Sequence, residues 1–509
     1  MSERRPESQQ RPPLARGTLA LVALALFALH ATAFTAYGWF RDELYYVSCA
    51  RRLAWGYVDQ PPLSIAVLAI VRAIAGDRLL VIRVAATLVA IAFAMLAGAL
   101  ARELGGRRFA QGLAALAAGL APVSLGIGHY WSMNVFDQLF WVLASLLAVR
   151  ALATGRIVAW LALGLALGLG LLDKWSVLWL GAGLGVAIVL SPQRRVLRSR
   201  GPWLAVALAL AIVVPHALWE RAHGWPTLEF MRNARTQKML ALEPLKFLLG
   251  QMLAAGPGAA PVWLAGLGAA LVPARATWRP LAIVYLVTLA ILLASGSARA
   301  EYLTLAVPGL LAAGAVWWEA RPAAARASVS ALLVALALPL APFAMPCLPV
   351  PAFLAWQRAL RLAPQTEEHH RMGALPQHYA DMFGWPEMAD SVARVAATLP
   401  DSERARAITV ADNYGEAGAL ELFGAGRVPN VCCQHNNWFL WGPPPWDGST
   451  AILLGRDSSE AAREFRQVIV AGRAGHPLAM PYEQDLPILV ARGFKADLAV
   501  AWAQGRHYQ

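Results

Sequence analysis

Charge is scarce in this sequence. Of 509 residues, 15% are Asp, Glu, Lys or Arg and 58% are hydrophobic, so the chain has little with which to cover a soluble surface. Cysteine is scarce too. Cys49, Cys347, Cys432 and Cys433 show no zinc spacing, and the adjacent Cys432 and Cys433 leave at most one of the two free to pair readily with a distant residue. His129, His216 and His223 lack a spacing such as HxxxH, so no metal is assigned. No glycine-rich loop has the spacing that cradles a phosphate. No small-residue cleavage pattern follows the first apolar run, so no cleaved signal peptide is expected. Period-2 alternation is missing from the long apolar windows, which excludes a barrel and leaves helices.

What is present is a series of Ala/Leu-rich windows long enough to cross a bilayer. The fold class expected is a polytopic α-helical membrane protein with a C-terminal soluble α/β domain. Residues 1–16 read as a cytosolic tail, 17–350 as a transmembrane domain of about 11–13 helices, and 351–509 as the soluble domain. The net charge of +13 follows from Arg clusters at 4–5, 107–108, 194–200 and 321–326. These are read as positive-inside flanks and contacts to anionic lipid, with no nucleic-acid partner. The same rule keeps the amino end inside and puts the loop at 39–62 on the outer side. Eight windows precede the segment 219–244, whose arginines serve equally as topology signals and as phosphate ligands.

That first loop, WFRDELYYVSCARRLAWGYVDQPPLSI, gathers charge where its surroundings have almost none. Residues 41–53 contain no Gly or Pro and are expected to form an interfacial amphipathic helix ended by Gly56, with Asp42, Tyr46, Cys49 and Leu53 on one stripe and Glu43 on another. Asp42 and Glu43 are the strongest carboxylate candidates for deprotonating an incoming hydroxyl or amine; the competing reading makes Asp42 the N-cap and places Glu43 in the first turn. Asp59 and Gln60 stand before two prolines in a rigid turn that can present them to a ligand or simply cap it.

Asp137 lies inside an apolar window, where an unpaired carboxylate is costly, so it needs a polar partner, structural or functional. Lys174, beside Asp173 between two windows, reads as an interfacial ion pair or a phosphate contact. Arg299 and Tyr302 precede a late span, as a phosphate ligand and an interface anchor. After Pro351 the composition becomes that of an ordinary soluble domain. Short β-prone runs fall at 407–410, 451–454 and 467–470, and DNYGEAGAL at 412–420 reads as strand end, turn and helix start. The run HNNWFLWGPPPW at 435–446 is assigned to fold stabilisation before acceptor contact.

Several of these runs together resemble a known family. FRDELYYVSCARRLAWGYVDQPPL at 40–63, SMNVFDQLFW at 132–141, LGLGLLDKWSVLW at 167–179, HGWPTLEFMRN at 223–233, LPQHYADMFGW at 375–385 and NYGEAGALELFG at 413–424 are similar to the bacterial membrane enzymes of glycosyltransferase family 39. That family contains protein O-mannosyltransferases and lipid A aminoarabinose transferases. The resemblance implies a GT-C fold and a polyprenyl-phosphate-linked sugar donor, with transfer to a lipid or envelope-glycan acceptor at the periplasmic face of the bacterial inner membrane. It makes Asp42 the base, with Glu43 completing the pair, and Asp137 a second acidic position near the acceptor. The donor and its phosphate fall to Arg299, Tyr302, Gln60, Asp59, Tyr46 and Lys174.

Two positions depart from the family. Gln60 stands where the aminoarabinose transferases carry a lysine, and Glu301 replaces the first tyrosine of a basic-x-Tyr-Tyr motif. No cofactor is assigned, although Glu43, Glu301 and the histidines leave room for a divalent cation. The family also places the soluble domain outside, which favours thirteen crossings. A flippase or transporter of lipid-linked sugar, a protein O-mannosyltransferase and an inactive envelope scaffold are the competing readings.

Overall fold

The computed structural model describes residues 11–239, 241–362 and 371–509; the first ten residues of the expected tail lie outside these. Seventeen α-helices precede the sheet domain among the described residues. They are α1 (Arg16–Ala31), α2 (Arg41–Arg51), α3 (Leu63–Ala75), α4 (Leu79–Glu103), α5 (Arg108–Gly119), α6 (Pro122–Gly128), α7 (Met133–Thr154), α8 (Ile157–Leu171), α9 (Val177–Leu190), α10 (Arg200–Ala222), α11 (Pro226–Asn233), α12 (Pro244–Ala255), α13 (Ala260–Leu271), α14 (Arg279–Ser295), α15 (Val307–Glu319), α16 (Ala323–Ala344) and α17 (Val350–Ala359).

Among the described residues, five helices are long and apolar enough to cross a membrane, or seven if each of two bent pairs is one span, and five further apolar helices are 10–17 residues long. The windows read as continuous at 110–128 and 246–270 are bent, by 64° and 86°. Proline is the local reason: Pro122 and Pro257 lack an N–H, and each begins a new helical segment. The first apolar helix stops at Ala31, short of the Gly38 that hydropathy suggested.

The chain divides into two compact units. One is helical and takes in the chain to Phe34, Arg83–Ala217 and Ala241–Cys347. Its helices meet through small residues, as expected where lipid removes the hydrophobic drive and backbone proximity supplies packing. A Cβ on Gly266 would run into the Leu310 carbonyl, and one on Gly314 into the Val262 carbonyl. α13 and α15 therefore touch backbone to backbone.

The other unit takes in Thr35–Ile82, Leu218–Leu240 and Leu348–Gln509. Its sheet holds β1 (Ile408–Ala411), β2 (Val431–Cys433), β3 (Thr450–Leu454), β4 (Phe465–Ala474) and β5 (Leu486–Phe494), in the order β2-β1-β3-β5-β4. β2, β1 and β3 are parallel, and β5 and β4 continue antiparallel. Every residue of β3, the central strand, is buried, as its unbroken TAILL run requires. All three β-prone runs are strands. Asn413 caps the helix Tyr414–Phe423, accepting from the Gly415 and Glu416 amides, so DNYGEAGAL is a strand end, a cap and a helix start.

Candidate functional site

In the sheet-containing unit, α2 begins at Arg41 as expected, but it ends at Arg51 with Arg52 as its C-cap, five residues before Gly56. The N-cap is Phe40 rather than Asp42. Glu43, at the third helical position, reaches back so that its Oε2 accepts the Phe40 N–H at 2.9 Å, the carboxylate half of a capping box. Asp42, half-buried one residue earlier, does not close that turn. Its Oδ1 accepts the Tyr414 hydroxyl at 2.9 Å. Burial, and then the charge of Asp42, push the Tyr414 phenol well above its ordinary range. The phenol is thus fixed as a donor, and its carboxylate partner keeps a set orientation.

The sequence allows this approach because the helix Tyr414–Phe423 shows α2 two glycines. A Cβ at Gly415 would meet the Arg41 side chain, and one at Gly418 would lie 2.9–3.0 Å from Leu44 atoms. Around this contact the Arg41 amide donates to the Asp381 carbonyl at 3.0 Å, and the Arg41 guanidinium lies 4.7 Å from the Tyr414 ring centre. Glu421 accepts from Ser48 and from Arg52, both at 2.6 Å. Arg52 also covers Trp438 and Trp441, at 5.1 and 4.5 Å.

A second strand of contacts holds the turn at 57–60. The Tyr45 hydroxyl donates to Asp59 at 2.9 Å, and Asn437 Oδ1 accepts the Val58 amide at 2.6 Å. The structure therefore brings Asp42 and Asp59 together with Tyr45, Tyr414 and Asn437. Tyr414 and Asn437 were not singled out as site residues from the sequence; their signal lay in DNYGEAGAL and HNNWFLWGPPPW, read as structural runs. Tyr46 is buried in α2, at 4% exposure. Gln60 is wholly buried, and neither side-chain amide atom has a hydrogen-bond partner among the described residues; the Ser64 hydroxyl is in the same state. Such groups are destabilising unless something polar reaches them.

In the helical unit, Asp137 is buried near the start of α7. Its Oδ1 accepts from the Ser176 hydroxyl at 2.5 Å, and Lys174 Nζ stands 3.6 Å from Oδ2. Lys174 also donates to Asn134 at 2.5 Å and lies 5.3 Å from the Tyr302 ring centre. The ion pair anticipated within Asp173-Lys174 thus draws its carboxylate from another helix. Arg299 is 3.8 Å from Glu301, so the carboxylate that replaces a tyrosine in the family motif sits beside the arginine. Among the described residues no group of three or more His, Cys, Asp or Glu is arranged to hold a metal ion.

Comparison with known proteins bears on this architecture. Structures of ArnT from Cupriavidus metallidurans superpose over nearly the whole molecule. The apo form gives a TM-score of 0.65 at 14% identity, covering 94% of this chain and 98% of that one. The form bound to undecaprenyl phosphate gives 0.58 at 16%, covering 92% and 97%. The fold is GT-C. A polytopic α-helical membrane domain with a C-terminal sheet domain is what the GT-C reading anticipated. Residues 59–219 match the family model described as dolichyl-phosphate-mannose-protein mannosyltransferase. The lipid A galacturonosyltransferase RgtD of Rhizobium johnstonii is 26% identical over 246 residues, which is 47% of this chain and 51% of that protein; the match spans about half of the relative's length.

Proposed function

We propose that this GT-C membrane protein is an inverting glycosyltransferase that moves a sugar from a polyprenyl-phosphate carrier to a lipid or envelope-glycan acceptor, at the periplasmic face of a bacterial inner membrane. The observation that carries the reading is Asp42, whose carboxylate is held by the Tyr414 hydroxyl while Glu43 takes over the helix cap. A carboxylate relieved of a structural duty and fixed in direction is suited to general-base work. The fold shared with an undecaprenyl-phosphate-binding protein and the partial likeness to lipid A and mannosyl transferases support the donor class.

In this reading Asp42 takes the proton of the acceptor hydroxyl or amine. The acceptor lone pair forms a bond to the anomeric carbon, and the bond from that carbon to the phosphate oxygen breaks, its electrons leaving with polyprenyl phosphate. One displacement inverts the anomeric centre. Gln60 and Ser64 are proposed to offer neutral donors to the departing phosphate, with Asp59 and Tyr46 shaping that wall. In the helical unit a lipid-phosphate role is proposed for Lys174, Arg299 and Tyr302, with Asp137 holding Lys174 in place.

The test incubates the full chain in lipid with a panel of polyprenyl-phosphate sugars and envelope-lipid extract, and follows release of free polyprenyl phosphate. Release that requires acceptor and vanishes in Asp42→Asn is the expected result. Movement of lipid-linked sugar between leaflets without release would replace the transferase by a transporter.

A further inference from the structure

The helical unit carries a second polar feature at the opposite end of α7 from Asp137. Arg150, near the carboxyl end of α7, donates to Glu103 at 2.7 Å, and Glu103 pairs with Arg11 at 2.9 Å. Position 150 lies thirteen steps along the helix from position 137, a rise of roughly 20 Å. At this far end is a cavity of about 1130 Å³ whose walls include Arg11, Arg107, Arg108, Arg275, Leu104 and Trp278.

The amino-terminal segment forming one wall is pinned in place. Arg102 donates to the Pro12 carbonyl at 2.7 Å, Gln111 donates to the Pro13 carbonyl at 3.1 Å, and Gln111 Oε1 accepts the Ala15 amide at 2.8 Å. Among the described residues no carboxylate lines the cavity. The nearby Glu103 is engaged by Arg11 and Arg150, and Glu319 accepts the Arg107 and Ala110 amides at 2.7 and 3.0 Å.

Positive-inside flanks account for arginines at a membrane face, but such arginines need only be exposed. Arg275 is different. Its guanidinium lies against Trp278, 4.1 Å from the ring centre, and its Nη1 is shielded from solvent with no acceptor among the described residues. Burial and then the neighbouring Arg321 lower its pKa, so the guanidinium sits where an anion would relieve both effects. Its planar fork suits a phosphate better than a point charge does.

We propose that this arginine-lined cavity binds a phosphate-bearing anion. Arg107 and Arg275 meet the phosphate, Arg11 and Arg108, already bonded to Glu103 and Thr18, add positive charge around it, and Leu104 and Trp278 supply an apolar edge for whatever the phosphate carries. The inference is independent of the transferase reading.

The test uses the full chain in detergent micelles with three probes: dioleoyl phosphatidic acid, dioleoyl phosphatidylcholine and inorganic phosphate. Native mass spectrometry counts lipid adducts, and equilibrium dialysis reads phosphate. One phosphatidic acid per chain should persist while phosphatidylcholine does not. Affinity should fall at least tenfold in Arg107→Gln/Arg275→Gln and stay unchanged in Arg156→Gln/Arg198→Gln, a pair of exposed arginines at the same end of the bundle. Arg275→Lys, which keeps the charge and loses the fork, should weaken binding several-fold and serves if the double variant does not fold. Inorganic phosphate binding as tightly as the lipid identifies the free anion as the ligand; lipid binding alone identifies a headgroup. Equal affinity across all variants, or equal loss in site and control pairs, overturns the proposal.

Discussion

Asp42 and Glu43 are adjacent carboxylates, and the helix separates their duties because a side chain at the third helical position reaches the N-cap amide while its predecessor does not. The sequence allowed either residue to be the cap; the register that decides between them depends on Phe40 being the N-cap, which propensity does not foretell. Asp42→Asn is expected to lower turnover by about 10²–10⁴-fold with the protein still folded. Tyr414→Phe removes one hydrogen bond to a charged group, about 1.5 kcal/mol, so kcat should fall roughly tenfold with donor KM unchanged. Equal kcat in Tyr414→Phe and wild type would separate Tyr414 from the chemistry. Nearby, Asn413 donates to both Glu416 and Glu483, at 2.9 and 3.0 Å. Burial foremost raises both carboxyls above their ordinary 4.5, with Glu483 and Asp412 adding to the rise at Glu416. The folded chain therefore holds protons that the unfolded chain releases above pH 4.5, and stability is lost as pH rises through the folded values. Glu483→Gln keeps an acceptor for Asn413 and removes one titrating group. Its melting temperature should fall less steeply than wild type between pH 4.5 and 8, and an unchanged slope would mean that Glu483 is ionised in the fold.

At the scale of elements, α7 and the strands were legible because their periodicity and burial follow from local composition: β3 is apolar throughout and buried throughout. Bends were not legible from hydropathy, which averages over Pro122 and Pro257. The contact between α13 and α15 was also hidden, since a glycine in an Ala/Leu-rich helix looks like any small residue until its neighbour is known. Gly314→Ala places a methyl group against the Val262 carbonyl, and backbone cannot yield as a flexible side chain can. The helices must separate, at a cost of about 1–3 kcal/mol. Thermal unfolding in detergent should show a clearly lower midpoint. Gly181→Ala, with nothing within 4 Å of the added atom, should leave the midpoint within about a degree or raise it slightly. Similar shifts in the two variants would remove the case for backbone contact.

For the molecule as a whole, the long-range partners of α2 were the least legible part, because they stand some 340–400 residues away in a segment whose composition announces only a soluble domain. The Arg41 amide, Asp42, Tyr45, Ser48 and Arg52 meet Asp381, Tyr414, Asn437 and Glu421. Each contact ties the proposed catalytic helix to the sheet domain instead of leaving it a loop with its own stability. Ending the chain after Ala359 removes all four partners at once and exposes the buried face of α2. That helix is 11 residues long, too short to persist unsupported. Limited proteolysis should then cut within 41–51, and polyprenyl-phosphate release should be lost even though Asp42 and Glu43 remain. Glu421→Gln tests the same tie without truncation. Glu421 is 16% exposed and joined to Arg52, so losing its charge should destabilise the sheet-containing unit by about 1–3 kcal/mol and increase cleavage in α2 before activity disappears. A truncated chain with full turnover and a protected α2 would make the sheet domain an appendage and return the proposed chemistry to the membrane helices alone.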